Sequence, residues 1–158
     1  MSNSSLVDYT KISPNYSRRT SAIKKITIHH MAGNLSVETC GNVFANKSRA
    51  ASSNYGIGYD GRIAMYVEEK DRSWCTGGKD KNGNIIRVNG ISGADNDHRA
   101  VTIEVASDKV HPYTVTGVAM KSLIALISAI FTSQSLISKD VLFSLCILFS
   151  ILVSRFFN

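Results

Sequence analysis

Cysteine is scarce in this chain, and proline is scarcer. The three cysteines, Cys40, Cys75 and Cys146, cannot all pair with one another and none lies in a C-x-x-C spacing, so they read as free thiols. The first twenty residues lack an apolar stretch between a basic start and a small-residue cleavage site, so no secretory signal is expected there. Charged residues make up only 19% against a hydrophobic share of 44%, the composition of a folded chain rather than a disordered one. At 158 residues the chain fits one domain that buries a core without staples, and no second catalytic domain fits beside it. No segment repeats Lys or Arg on one helical face or interleaves them with aromatics. The formal charge of +6 therefore suggests acidic surroundings, such as anionic polymers or a membrane surface, rather than nucleic acid.

What is present is an alternation of strand and helix signals without internal repeats. Residues 1–21 carry no apolar period and read as an extended lead-in. Ile23 to His29 alternates, with Ile26 and Ile28 on one face and Thr27 and His29 on the other, and predicts a central strand ending at His29. Ser36 is a good N-cap for a short helix to about Asn46, with Glu38 in its first turn. Two strand-like segments, Tyr55 to Tyr59 and Arg62 to Val67, flank Asp60-Gly61, which predicts a hairpin with a type I′ turn. Residues 77–93 are glycine-rich and read as a long flexible loop. Ala100 to Ala106 alternates as a strand with Glu104 on its less apolar face, and Thr116 caps a core-packing helix to about Phe131. The nearly unbroken apolar run Val141 to Val153 is shorter than the roughly 20 residues that span a bilayer as a helix.

Several of these residues could carry chemistry, each beside a plainer reading. His29-His30 at the end of a strand offers an imidazole on a rigid support for a metal, although only one of the pair can face a given pocket; the alternative is a structural or exposed pair. Tyr55 could donate to a developing oxyanion or simply pack on the sheet. Glu104 in an apolar strand is a candidate general base if it faces a pocket, and an ordinary exposed strand residue if it does not. Trp74, the single tryptophan, could contact sugar or peptide or anchor the core. His98 and His111 lie in polar segments and read as surface residues.

The order of three segments, Ile26 to Gly33, Ser53 to Ile63 and Ala100 to Ala106, resembles the type 2 N-acetylmuramoyl-L-alanine amidases, a family that includes phage endolysins and peptidoglycan recognition proteins. The resemblance covers about residues 20–131 and implies an α/β fold, a mixed central sheet flanked by helices, with zinc bound in a cleft at one edge. It carries the first zinc ligand onto His29, a tyrosine beside the zinc onto Tyr55, a proton-transferring strand glutamate onto Glu104, and a groove-lining aromatic onto Trp74. It implies zinc-assisted hydrolysis of the amide between N-acetylmuramic acid and L-alanine, with peptidoglycan as the partner and no nucleic acid, by a chain expected to be monomeric.

The family places a second His and a Cys or Asp ligand after the long helix, yet beyond Phe131 this sequence has no His, Pro or Gly. His30, His98, His111, Cys75 or Cys146 could substitute only by an arrangement the family does not use. The expected organisation is therefore a lead-in over 1–21, an amidase-like domain over 22–131, and an atypical apolar tail over 132–158 that truncates or replaces the rest of the metal site and impairs activity. The expected origin is a phage or prophage, with the protein cytoplasmic until released to the cell wall. A peptidoglycan-binding domain without catalysis is the rival reading, and a membrane anchor formed by Leu136 to Phe157 is a third.

Overall fold

A computed structural model describes residues 3–88 and 90–134. In chain order it contains β1 (Tyr9–Thr10), β2 (Tyr16–Arg18), β3 (Lys25–His30), α1 (Val37–Ala45), a 3-10 turn (Lys47–Arg49), β4 (Tyr55–Ile57), β5 (Ile63–Met65), β6 (Asp71–Ser73), β7 (Arg87–Val88), β8 (Ile91–Ser92), α2 (Gly93–Arg99), β9 (Ala100–Val105) and α3 (Gly117–Ser133). The expected mixed sheet is present, ordered β1-β5-β4-β9-β3, with β4 and β5 antiparallel and the other neighbours parallel. Both predicted caps hold: Ser36 accepts from the Thr39 amide at 3.2 Å, and Thr116 from the Ala119 amide at 3.2 Å.

The period of two divides the sheet into two faces. Tyr55, Ile57, Ile63, Val101, Ile103 and Val105 point to one side, where they pack against Ala119, Leu123, Leu126 and Ile130 of α3. On the other side Ala64 and Tyr66 meet Val37, Cys40 and Phe44 of α1. Glu104 also belongs to this second face, since its in-register neighbours are Gly56 on β4 and His29 on β3.

Three expectations need correction. Strand β3 lies at the edge of the described sheet rather than in its centre, and Ile28 is 49% exposed because the α3 side packs only Ile26 of the pair. The β4–β5 turn is not type I′. The Gly61 amide donates to the Gly58 carbonyl at 3.0 Å and only Gly61 takes positive φ, at 82°, which makes a type I turn followed by a left-handed residue. Residues 77–93 are not simply a loop. They hold the β7–β8 hairpin, and α2 begins at Gly93, capped by Ser92.

The lead-in is extended but integral to the domain. Strand β1 joins the central sheet beside β5, and β2 pairs with β6. Arg19, buried and with its pKa lowered to about 10 by that burial, donates to the carbonyls of Glu69, Asp71, Asp97 and His98 at 2.8–3.0 Å. The expected boundary at residue 131 falls inside α3, and the apolar tail from residue 135, with Cys146, lies outside the described residues. Among the described residues no helix is long and apolar enough to cross a membrane.

Candidate metal centre

The site forms where β3 and β9 end. In their parallel register His29 lies beside Glu104, and both side chains stand on the face away from α3. Cys75, just beyond the end of β6, is the third member: one donor atom each from His29, Cys75 and Glu104 lie within 4.8 Å of one another. The Cys75 thiol is 3.9 Å from a Glu104 oxygen. The His29 Nε2 is buried and has no hydrogen-bond partner among the described residues. An unsatisfied buried nitrogen of this kind calls for a ligand or a strain-based explanation.

The segment carrying Cys75 is held by Asp97 of α2. The fully buried Asp97 carboxylate accepts from the Cys75 amide at 3.0 Å, from the Thr76 amide at 2.9 Å and from the Thr76 hydroxyl. Helix α2 reaches this position because residue 93 is glycine. A β-carbon there would overlap both the oxygen and the carbon of the Thr76 carbonyl. Neither backbone can yield without separating α2 from the Cys75 segment. Gly93→Ala is therefore expected to cost at least the upper end of the ~1–3 kcal/mol typical of overpacking, read as a lower denaturation midpoint; an unchanged midpoint would show that the contact is looser than described.

Below the site, the run Ser52-Ser53-Asn54 is buried. Asn54 accepts from the Thr102 amide at 3.1 Å and donates to the Val67, Glu68 and Asp71 carbonyls, and Ser73 bonds Thr102 at 2.7 Å. This network ties β9 to the segment leading into β6, and so fixes Glu104 relative to Cys75.

Burial shapes the charge states. It is the largest cause holding His29 below the usual histidine range, followed by an opposing pull from Asp97 and a small push from His30. The neutral imidazole, the form that binds metals, is thus favoured. Burial raises Glu104 from 4.5 to about 7, against a smaller lowering by the Cys75 thiol. It also raises the Cys75 thiol, with the Glu104 and Asp97 charges adding to the effect.

The Glu104 shift carries a stability consequence in metal-free protein. The unfolded chain releases the Glu104 proton near 4.5 and the folded chain near 7, so stability from this group falls as pH rises through that window. His29 acts oppositely, because its lowered value costs stability as pH falls. The stability difference between wild type and Glu104→Gln isolates the carboxyl. It is expected to shift by on the order of 2–3 kcal/mol against wild type between pH 4.5 and 7, measured by denaturant unfolding in chelator; a pH-independent difference would place Glu104 in contact with solvent.

The other candidates read from the sequence separate. Tyr55 does not join the cluster. Its ring is fully buried on the α3 face, and its hydroxyl donates to Glu69 at 2.6 Å while accepting from the Ser4 amide at 2.9 Å. The reason is the pleat: Tyr55 pairs with Ile103, not with Glu104. Trp74 is half-buried, donates from its indole nitrogen to Ser17 at 3.3 Å, and lines a depression of about 230 Å³ with Arg72, Gly77 and Gly78. His30 stacks on Tyr113 with ring centroids 4.3 Å apart, and His98 accepts from the Thr20 amide at 3.1 Å, so both are engaged elsewhere. Cys40 and Cys75 are free thiols, as expected. Sequence reasoning gave Cys75 no place of its own in the site and missed Asp97 entirely. Neither sits in a spacing that distinguishes it from a core thiol or a surface acid.

A mixed sheet with functional groups at the carboxyl ends of adjacent parallel strands has the build of an α/β enzyme domain. A family model described as N-acetylmuramoyl-L-alanine amidase matches residues 19–143. The chain belongs to that family, whose members hydrolyse the amide joining N-acetylmuramic acid to L-alanine in peptidoglycan. Among solved structures it is similar to a selenomethionine derivative of AmpD, at 19% identity and a TM-score of 0.65, over 87% of this chain and 83% of that one. It is also similar to a mutant endolysin from Bacillus subtilis, at 16% identity and TM-score 0.61, over 83% and 79%. The catalytic domain of XlyA gives 15% identity and TM-score 0.60, over 83% and 80%. At these identities the likeness is one of fold. No curated protein matches the chain.

Proposed function

We propose that the chain hydrolyses the muramoyl–L-alanine amide at the His29–Glu104 corner of the sheet, with His29 as a ligand of the zinc on which the family generally depends. The observations that carry this reading are the cluster of His29, Cys75 and Glu104 donor atoms within 4.8 Å of one another and the buried His29 Nε2, which has no hydrogen-bond partner among the described residues. Bound there, zinc supplies a Lewis acid for the scissile carbonyl and a water of lowered pKa.

The remaining work falls to the chain's own residues. Glu104, partly buried beside His29 and Cys75, is placed to accept a proton from the attacking water and return it to the departing alanine nitrogen. Trp74 and the depression beside it would seat the glycan or the peptide stem. Tyr55 takes no part, because its hydroxyl is committed to Glu69 on the far face. All four histidines of the chain are at positions 29, 30, 98 and 111, and only His29 reaches the cluster. A site with one imidazole holds metal less firmly than one with two, and we take activity to be impaired accordingly.

The protein would act at the bacterial cell wall as a monomer, after release from the cytoplasm. Co-sedimentation with insoluble peptidoglycan, paired with detection of newly freed L-alanine amino groups, tests the reading. Binding with release is expected. Binding without release would favour the non-catalytic wall-binding domain.

A further inference from the structure

We infer that Cys75 is a metal ligand, and that a ring nitrogen of His29, the Cys75 thiolate and one oxygen of Glu104 together form a three-donor site for a thiophilic divalent cation. The inference rests on the zinc reading of His29 above and names the donors that complete it. Geometry carries it. Bonds of about 2.0–2.3 Å at a tetrahedral centre place neighbouring donors roughly 3.5 Å apart. Cys75 and Glu104 are already at 3.9 Å, and the whole set lies within 4.8 Å, so side-chain adjustments of about an ångström suffice.

The surroundings are consistent with a prepared site. Asp97 spends its oxygens on the backbone amides of Cys75 and Thr76 and on the Thr76 hydroxyl, which fixes the thiol's position without competing for the ion. His29 has no other partner for Nε2 among the described residues. One imidazole, one thiolate and one carboxylate favour zinc or cobalt over the oxygen-loving magnesium and calcium. The balance is simple: the sulfur–metal bond forms as the S–H bond breaks, the proton leaves to solvent, and no electron is transferred. A second proton leaves where Glu104 is protonated. With Glu104 bound through one oxygen, its second oxygen stays available for proton transfer.

Cobalt(II) titration of the full-length chain provides the test. Expected is one cobalt per chain with a near-ultraviolet thiolate-to-cobalt charge-transfer band. In Cys75→Ser the band is lost, and zinc affinity falls by more than the ~10–100-fold typical of removing an outer-shell partner. Cys40→Ser and Cys146→Ser should keep the band, and Cys75→Ala should behave as Cys75→Ser if the serine variant folds poorly. The inference is overturned by a band that survives Cys75→Ser or Cys75→Ala, by one that disappears in Cys146→Ser, or by the absence of stoichiometric binding. Amide release measured on the same samples separates the two readings. A Cys75-dependent band without release sinks the hydrolytic reading alone, whereas zinc-dependent release without the band sinks the Cys75 assignment alone.

Discussion

His29→Ala is expected to remove stoichiometric zinc binding and to bring amide release from peptidoglycan down to background, while the domain stays folded. The first half follows from donor number. Three donors converge in the described residues, and losing one leaves fewer than either structural or catalytic zinc sites normally have. The second half follows because no other histidine belongs to the cluster: His30 is stacked on Tyr113, His98 is bound to Thr20, and His111 is exposed with its ring edge-on to Tyr113. The fold should survive because His29 stands on the face away from the α3 core, where its Nε2 makes no hydrogen bond whose loss would be felt. Metal content after dialysis and a thermal melt answer both halves. Retained zinc in His29→Ala would mean that the ion sits elsewhere.

Glu104→Gln should slow hydrolysis by about 10²–10⁴-fold, the usual contribution of a positioned general acid or base. Glutamine keeps the shape and an oxygen that can still approach a metal, so metal affinity should fall far less than in His29→Ala. The separation between rate and affinity is the diagnostic. Equal losses of rate and of metal would assign Glu104 to ligation alone.

Much of this was legible in the sequence, for identifiable reasons. The alternation in β3 and β9 placed His29 and Glu104 on the less apolar face of each strand, and the parallel register then brought them together. The Ser36 and Thr116 caps were readable because capping is local chemistry. Helix α2 was not, since Gly-Ala-Asp-Asn-Asp-His-Arg has no apolar period and owes its place to Arg19 and the Thr76 contact. Strands β1 and β2 escaped notice because each is very short and held by partners far along the chain.

Tyr55 teaches a different lesson. Its motif position suggested the site, yet the alternation Tyr55-Gly56-Ile57-Gly58-Tyr59 already put the bulky residues on one face and the glycines on the other. The bulky face of such a strand goes to the core, and here that core is the α3 layer. Gly56 is the residue left beside Glu104, and the Tyr66 ring fills the space its missing side chain leaves. Cys75 became visible only in three dimensions, where the polar network through Asn54 and Asp97 sets it opposite His29.

The most direct measurement of the central claim is a zinc titration of chelator-stripped, full-length protein acting on purified peptidoglycan, followed by the appearance of free L-alanine amino groups. The account predicts release that is absent without metal, rises with added zinc and levels off at one zinc per chain. Release that is unaffected by chelation, or no release at any zinc concentration, would contradict it.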